Sequence, residues 1–362
     1  MKKRFGGVAG IIALAVSIFF VGCGKDSGNT GTGTDANKDF KIAMLTNYAD
    51  NLIIPAYTDL QSKLDVLNTA VEAFLASPST STQASLKTSF KNAYLSFEGI
   101  SVPNFGPAAV LLVNNYSNTF PAAINDVESG ILSGTYNFAQ PIASDSIQGF
   151  PTLDYLLFST DAVTKFSAPD AANRKKYVQD VMARLKSLVS SSITQWTGTY
   201  KTAFVNSTKT DVGSSIGYLI NQFAFEMDAL KGPRIGWPYG KQSGGIVFAD
   251  KCEAYFSGIS ADLAVANLAS LKNYYKGGSG SGIDDYLILL NKNQLNADVL
   301  AQFDLALTAL QAIPSPMSEA FTNNKPLIDA AYIEIQKLLT LLKTDVASAT
   351  SVRINYQDSD GD

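Results

Sequence analysis

The sequence predicts an all-α protein built from two helical bundles packed together. In most long segments apolar residues recur every three to five positions, a spacing that places them on one face of a helix. Sustained alternation of apolar and polar residues, which is typical of strands, is scarce. About 320 residues remain after the N-terminal segments, and single hydrophobic cores rarely grow beyond roughly 250 to 300 residues. Two units resembling four-helix bundles are therefore expected.

The elements follow from this spacing in chain order. A long helix is predicted over residues 45–74, with a kink at Pro55 because proline removes a backbone donor. Polar residues 77–80 end it, and a second helix begins near Thr82. Further helices are predicted over residues 177–193, 216–230, 300–310 and 328–346, with glycine-rich loops at residues 239–245 and 276–282.

Four segments are expected along the chain. Residues 1–23 form a lipoprotein signal peptide, and residues 24–39 form a flexible tether rich in Gly, Thr, Ser and Asn. Residues 40–205 form an N-terminal helical bundle, and residues 206–362 form a C-terminal bundle with an acidic tail. The polar run 206–211 marks the boundary. A diverged duplication is compatible with two bundles, but no strict internal repeat demonstrates one.

The N-terminus has the pattern of a secretory signal. Three basic residues at positions 2–4 precede an apolar run over residues 8–21 that is short for a membrane span. Residues 20–23, Phe-Val-Gly-Cys, resemble a bacterial lipobox, whose cysteine is acylated. We therefore expect Cys23 to carry a lipid, the alternatives being an ordinary signal peptide or an uncleaved anchor. Gly24 differs from the Asp that retains lipoproteins in the inner membrane, so the outer membrane of a Gram-negative bacterium is the expected location.

Charge and cysteine content exclude some partners. The chain has 28 Lys and Arg, 32 Asp and Glu and a formal net charge of −4. Loss of the signal peptide removes three basic residues, leaving 25 against 32 and a net charge of −7. This charge argues against a nucleic-acid partner. Once Cys23 is acylated, Cys252 has no partner for an intramolecular disulfide, and we interpret it as a small buried apolar residue.

The chain contains no histidine. Histidine is the usual general base near neutral pH and the commonest metal ligand. Ser-His-Asp and Cys-His catalytic arrangements are therefore excluded, as is every zinc motif that requires His.

Several separated segments occur in an order that points to one family. They are residues 47–49 (Asn-Tyr-Ala), 55–57 (Pro-Ala-Tyr), 93–98, 105–107, 120–121 (Phe-Pro), 149–158, 213–215, 234–240, 253–257, 267–277 and 356–362. This set spans roughly residues 40 to 362 and resembles the imelysin-like family of bacterial envelope proteins. The resemblance implies a two-bundle helical fold with a site between the halves, secretion or lipid anchoring, and a link to iron uptake.

The family was named for a proposed metallopeptidase activity. This sequence differs from the family's signature motif at two positions. In the motif Gly-x-His-x-x-Glu, Gly149 is retained, Pro151 stands in place of His and Asp154 in place of Glu. Pro151 offers no side-chain ligand and suits the first turn of a helix, where Asp154 would lie near the positive N-terminus. The motif is therefore interpreted as structural, and the chain is predicted not to be an enzyme.

A metal held without His would have to use carboxylates or backbone oxygens. The candidate ligands are Asp154, Glu98 and Glu253, with Glu226 as a further acidic residue. Oxygen ligands favour calcium, magnesium, manganese or ferric iron over zinc, so iron or calcium is the cofactor to test. Acidic residues on helices more often form solvated faces, which is the interpretation we favour for Glu226 and Glu128.

Residues 232–240, Gly-Pro-Arg-Ile-Gly-Trp-Pro-Tyr-Gly, form a second candidate site and are predicted to be a rigid, turn-rich loop. Arg234 is suited to bidentate pairing with a carboxylate or an anionic ligand. Trp237 and Tyr239 are suited to stacking on a sugar or another flat ligand. Packing of these aromatic residues on the neighbouring bundle is the equal alternative.

Two further signals are interpreted as structural. Ser214 and Ser215 are predicted to cap a helix beside the same cleft. Residues 358–362, Asp-Ser-Asp-Gly-Asp, superficially resemble a calcium loop but lack its distal Glu, so they are interpreted as an acidic tail.

Three functions follow as hypotheses. The first is a non-catalytic protein, anchored to the membrane through Cys23, that binds a ligand or partner between the bundles and acts with other envelope components of iron uptake. The second is a divergent metallopeptidase that uses carboxylate ligands. The third is a carbohydrate-binding or adhesion protein that uses Trp237 and Tyr239.

Overall fold

The computed structural model describes residues 37–356, whose regular secondary structure is entirely helical. The all-α prediction is confirmed. The predicted signal peptide, Cys23, most of the tether and the acidic tail beyond Tyr356 lie outside the described residues. Within residues 37–356 no helix is both long and apolar enough to cross a membrane.

Within residues 37–356, ten helices precede the predicted boundary and eight follow it. The first ten are α1 (Lys38–Asn47), α2 (Ile54–Ala76), α3 (Thr80–Ser101), α4 (Pro107–Val110), α5 (Val113–Asn118), α6 (Ile124–Ser133), α7 (Gly149–Phe158), α8 (Ala162–Ser167), α9 (Ala172–Gln195) and α10 (Lys201–Asn206). The others are α11 (Ser215–Ala229), α12 (Trp237–Tyr239), α13 (Ser260–Tyr275), α14 (Ile283–Leu289), α15 (Asn293–Gln311), α16 (Met317–Asn323), α17 (Lys325–Thr340) and α18 (Ala347–Ala349).

Several of these helices are joined by turns of other helical types. The π-helical turns are Tyr48–Ile53, Trp196–Tyr200, Leu230–Gly236 and Leu341–Val346, and the 3₁₀ turns are Asp145–Ile147 and Ala249–Lys251. The irregularity predicted at Pro55 lies in the preceding π turn, and Pro55 is the second residue of α2. Helix α1 begins at Lys38, so the end of the predicted tether, up to residue 39, is helical instead.

Helices α2 and α3 form a hairpin whose turn is specified by its sequence. Ser79 caps α3: its Oγ accepts from the Thr82 N–H at 3.2 Å, and its own N–H donates to Thr82 Oγ1 at 3.1 Å. This reciprocal capping box satisfies two helix-terminal donors. The break predicted over residues 77–80 is confirmed.

One hydrophobic core runs through both predicted halves. Helix α2 packs on α3 and α9, while α3 also packs on α13 from the second half. The polar run 206–211 does coincide with the interval between α10 and α11. The division into two bundles stays a prediction.

The start of the helical region is clamped to a glycine-rich loop of the second half. Asn47 Nδ2 donates to the carbonyl oxygens of Gly277 at 2.8 Å and Ser281 at 3.0 Å. Tyr48 donates its hydroxyl to the Tyr274 carbonyl at 2.6 Å and accepts from the Ile283 N–H at 3.2 Å. These bonds fix the approach of α13 and α14 to the N-terminal helices.

We predict that Tyr48→Phe lowers the free energy of unfolding by about 1–3 kcal/mol, because it leaves the buried Ile283 N–H without its acceptor. Urea denaturation measures the change. Tyr57→Phe is the matched control, since Tyr57 is equally buried but its hydroxyl bonds no backbone group. Equal losses in both variants would contradict the assignment of the clamp.

Candidate functional site

Five buried polar side chains from five parts of the chain meet in the interior. We call them the Arg234 cluster: Glu98, Glu226, Arg234, Glu253 and Asn267. Three lie on helices α3, α11 and α13, Arg234 lies in the π turn that follows α11, and Glu253 follows the second 3₁₀ turn. None of the five is more than 7% exposed.

Arg234 is bound by two carboxylates. Its Nη1 and Nη2 donate to the two oxygens of Glu98 at 2.9 and 3.0 Å, a bidentate geometry. Nη1 also donates to Glu253 Oε2 at 2.8 Å. The sequence leaves open whether Arg234 pairs with a carboxylate or with an external anion, and in this structure the partners are carboxylates.

Asn267 connects the remaining carboxylate to this pair. Its Nδ2 lies 2.9 Å from Glu98 Oε2 and 3.0 Å from Glu226 Oε2, and it donates toward both. The Asn267 side chain thus joins α13 to α3 and α11. Its carbonyl oxygen is buried and has no hydrogen-bond partner among the described residues.

The second oxygen of Glu253 is held by two further side chains. Asn118 Nδ2 donates to Glu253 Oε1 at 2.6 Å, and the Tyr94 hydroxyl lies 3.2 Å from the same oxygen. Tyr94 also donates to Asn118 Oδ1. Both oxygens of Glu253 are therefore occupied by donors of this chain.

The cluster holds three carboxyl groups and one guanidinium, so acid groups are in excess. Burial raises the pKa of Glu98 to about 8 despite the opposing attraction of Arg234. Burial likewise raises the pKa of Glu226. Burial by itself would lower the pKa of Arg234, but Glu253 and Glu98 more than offset this and raise it, so Arg234 stays charged.

Asp154 is buried and accepts backbone hydrogen bonds from a neighbouring loop. Its Oδ2 accepts from the Phe256 N–H at 2.8 Å and its Oδ1 from the Ser257 N–H at 3.0 Å. Burial raises its pKa to about 6, since these hydrogen bonds offset the desolvation only in part. Asp154 is the sixth residue of α7, beyond the first turn. The prediction that Asp154 lies near the N-terminus of the helix is therefore wrong. Asp154 instead binds the backbone of the loop at Phe256 and Ser257.

The other two motif residues serve the backbone of α7. Pro151 is its third residue, buried in the first turn, where the missing N–H costs no helical hydrogen bond. Gly149 has a φ of +80°, and a Cβ there would lie 2.4 Å from the Ser117 carbonyl oxygen. Gly149 is thus required by a close approach of two backbone segments.

The residues present do not fit the metal that the family name suggests. Residues 37–356 contain no group of three His, Cys, Asp or Glu positioned to hold a metal ion. Of the predicted ligands, Glu98 and Glu253 are paired with Arg234, and Asp154 is occupied by backbone donors. A metal ion would have to displace these partners, so no reaction step is derived through one.

Residues 232–239 are helical and only Gly240 is a turn residue, so the prediction of segment 232–240 as a turn-rich loop is wrong. The π turn Leu230–Gly236 continues α11 and passes directly into α12. Trp237 stacks on Phe248 with ring centroids 5.7 Å apart. Tyr239 is only 9% exposed and packs near Phe321. The Tyr239 ring is therefore buried, whereas Trp237 is half-buried with one face against Phe248.

Ser214 and Ser215 begin α11, as predicted, but lie far from the Arg234 cluster. Ser214 Oγ accepts from the Gly217 N–H at 3.1 Å, whereas Ser215 Oγ donates to the Phe204 carbonyl at 2.6 Å. Glu226 lies eleven residues further along α11, roughly 16 Å at the helical rise. The predicted position beside the same cleft is therefore wrong.

The prediction of solvated faces is wrong for Glu226 and incomplete for Glu128. Glu226 is 3% exposed, because it lies at helical spacing with Leu219 and Phe223 on the apolar face of α11. Glu128 is partly exposed but pairs with Arg174. In contrast, Cys252 is buried as predicted, and burial raises the pKa of its thiol to about 12.

Sequence reasoning overlooks Tyr94, Asn118 and Asn267 as members of the site. A signal exists for Asn267, which shares helical spacing with the buried Leu263 and Leu271; a polar residue within an apolar face needs a buried partner. Asn118 carries no such signal, since it is the last residue of the short helix α5.

A cavity of about 260 Å³ opens beside the Arg234 cluster. Arg234 and Glu226 form part of its wall, together with polar residues of α3 and α5. The rest of the wall is formed by Phe97, Ser101, Asn114, Asn118, Thr119, Phe120, Phe225, Ala229 and Pro233. The cluster therefore borders a space large enough for a small organic molecule.

Comparisons with known proteins agree with this architecture. The sequence profile of the family described as imelysin, peptidase M75, matches residues 53–344. A protein provisionally described as an iron-regulated protein A precursor, from Parabacteroides distasonis, has a similar fold: TM-score 0.75, 20% identity, covering 88% of this chain and 96% of that one. An imelysin-like protein from Psychrobacter arcticum gives a TM-score of 0.70 at 19% identity, covering 89% of this chain and 99% of that one. No curated protein sequence matches significantly.

We predict that Asp154→Ala lowers the free energy of unfolding by about 2–4 kcal/mol, because two backbone N–H groups lose a charged acceptor. Hydrogen exchange should accelerate at Phe256 and Ser257. Asp65→Ala, which removes an exposed carboxylate paired with Lys186, is the control and should change stability by less than about 1 kcal/mol. Unchanged exchange at Phe256 and Ser257 would contradict this role.

We predict that the free energy of unfolding falls as the pH rises from about 5 to about 8. Carboxyl groups in unfolded chains have pKa values near 4, whereas Glu98 has a pKa of about 8 and Asp154 of about 6 in the folded protein. The folded state thus binds more protons in this range, and raising the pH favours the unfolded state. Denaturant titrations across the range measure the slope.

Asp154→Asn tests the origin of that slope. It should flatten the part between about pH 4 and pH 6. Asp65→Asn, which removes an exposed carboxylate paired with Lys186, is the control and should leave the slope unchanged, because surface ion pairs contribute little to stability. A free energy of unfolding that rises from about pH 5 to pH 8 would contradict the assignment.

Proposed function

The chain belongs to the imelysin family, and on that premise we propose that it is a lipid-anchored, non-catalytic binding protein of the bacterial cell envelope. Its ligand site is the cavity beside the Arg234 cluster. The process it serves is iron acquisition, together with other envelope components.

The observation that carries the proposal is that the carboxylates predicted as metal ligands already have partners within the chain. Arg234 occupies Glu98 and one oxygen of Glu253, while Asn118 and Tyr94 occupy the other oxygen of Glu253. A metallopeptidase needs ligands with an open coordination position. The absence of His from the whole sequence also removes the usual base.

The Arg234 cluster supports binding because its geometry is fixed before any ligand arrives. Its members come from separate elements of the chain and hold one another through hydrogen bonds of 2.9 and 3.0 Å. Such preorganisation reduces the entropy lost on binding. A buried charged wall within a partly apolar cavity is also the usual composition of a small-molecule site.

Anchoring is supported by the N-terminal sequence. The basic residues 2–4, the apolar run 8–21 and Cys23 follow the order of a lipoprotein signal. Residues 24–36 are rich in Gly, Thr, Ser and Asn, which suits a tether between the lipid and the helical body. Gly24 supports an outer-membrane location.

The link to iron acquisition is supported by the fold shared with a protein described as iron-regulated. At 20% identity this likeness covers the fold and does not extend to a ligand. The carboxylate-based metallopeptidase is the competing enzyme hypothesis, and it has no free ligand set in the described residues.

We predict that deleting the gene slows growth in iron-restricted medium and that the wild-type gene restores it. Cys23→Ser should fail to complement because the protein is no longer anchored. Ala229→Phe should also fail because the added ring fills the cavity, which Ala229 lines. Growth rate and the amount of protein in membrane fractions are the measurements.

Ala84→Phe, which places the same ring at an exposed position of α3, is the control and should complement fully. Normal growth of the deletion strain, or complementation by Ala229→Phe, would contradict the proposal. So would hydrolysis of casein by the purified protein after chelation and reloading with iron or calcium.

A further inference from the structure

We propose that the cavity beside the Arg234 cluster binds an organic cation: a protonated amine or a guanidinium that carries an apolar group. This inference rests on the proposed function of the cavity as the ligand site and names the chemical class of the ligand.

The first argument is an unpaired buried carboxylate. Glu226 lines the cavity and is 3% exposed. Within residues 37–356 no Lys or Arg nitrogen lies within 4.0 Å of its carboxylate, whereas Arg234 is shared by Glu98 and Glu253. Glu226 accepts hydrogen bonds from the neutral side chains of Asn267 and Ser101. A buried charge is costly unless it is paired, and a cationic ligand would supply the missing partner.

The second argument is the balance of hydrogen-bonding groups in the wall. Asn114 lines the cavity, and its buried carbonyl oxygen accepts no hydrogen bond from the described residues. The side-chain donors beside it are already used: Asn114 Nδ2 on the Ser101 carbonyl, Thr119 on the Asn115 carbonyl and Asn118 on Glu253. Acceptors in the wall therefore lack donors, so the ligand should donate.

The third argument is the apolar part of the wall. Phe97, Phe120 and Phe225 line the same cavity. Aromatic faces attract cations and also pack against apolar groups. A cavity of about 150 Å³ holds benzene, so the volume of about 260 Å³ leaves room for one ring and a short aminoalkyl chain.

Other ligand classes fit less well. An anion would approach Glu226, while the positive charge of Arg234 is already matched by two carboxylates. Calcium takes six to eight oxygen ligands. The wall of the cavity offers too few, because Glu226 is its one carboxylate and several of the other lining side chains are phenylalanines.

The experiment is calorimetric titration of the folded chain with 2-phenylethylammonium, compared with the neutral 2-phenylethanol and the anionic phenylacetate. We expect the cation to bind at least about tenfold more tightly than either of the other two compounds. A hydrogen bond between charged groups contributes more to affinity than one with a neutral partner, by roughly this factor. Glu226→Gln should weaken binding of the cation about tenfold or more and leave the alcohol unaffected. Glu72→Gln, an exposed glutamate on α2, is the matched control.

The outcomes separate this inference from the proposed function. Tighter binding of phenylacetate or 2-phenylethanol would overturn the cationic class while supporting the cavity as a ligand site. The inference would also be overturned if none of the three compounds bound, or if wild type and Glu226→Gln bound the cation equally well. In either case the complementation experiment with Ala229→Phe would still test whether the cavity is a ligand site. Circular dichroism of Glu226→Gln checks that the variant is folded.

Discussion

The bidentate pair between Arg234 and Glu98 is the interaction on which the interior depends. Three carboxyl groups are buried in the interior, and one guanidinium pairs two of them. Removing one partner of a buried pair leaves an uncompensated charge, which costs about 3–5 kcal/mol. Because Glu98 lies on α3 and Arg234 follows α11, the same pair also fixes how the first and second parts of the chain meet. The shape of the adjoining cavity follows from that contact.

Periodicity predicts the helices well because their stability comes from burying one apolar face. The helix predicted over residues 177–193 lies within α9, and the one over residues 300–310 lies within α15. Periodicity misjudges segment 232–240 because Gly and Pro are typical of turns, yet Pro233 is accommodated in a π turn, where a widened backbone tolerates its missing N–H. The tertiary contacts of Arg234 hold that turn in place.

The site is less predictable than the fold because convergence of side chains depends on packing between distant helices. Glu98, Glu253 and Arg234 are among the predicted site residues, but their mutual pairing is not visible in a linear sequence. The local clue is a charged residue within an apolar face, as at Glu226 in α11. In the folded protein, Pro151 and Asp154 have structural roles. Pro151 lies in the first turn of α7, and Asp154 binds the backbone of the loop at Phe256 and Ser257. A motif associated with chemistry is here integrated into the packing.

The central claim is that Glu98 and Arg234 stabilise the fold as a coupled pair. A double-mutant cycle with Glu98→Gln, Arg234→Met and the double variant measures this coupling directly through the free energies of unfolding. The account predicts a coupling energy of at least about 1.5 kcal/mol, with the double variant more stable than the sum of the single losses implies. Additivity of the two substitutions within about 0.5 kcal/mol would contradict it.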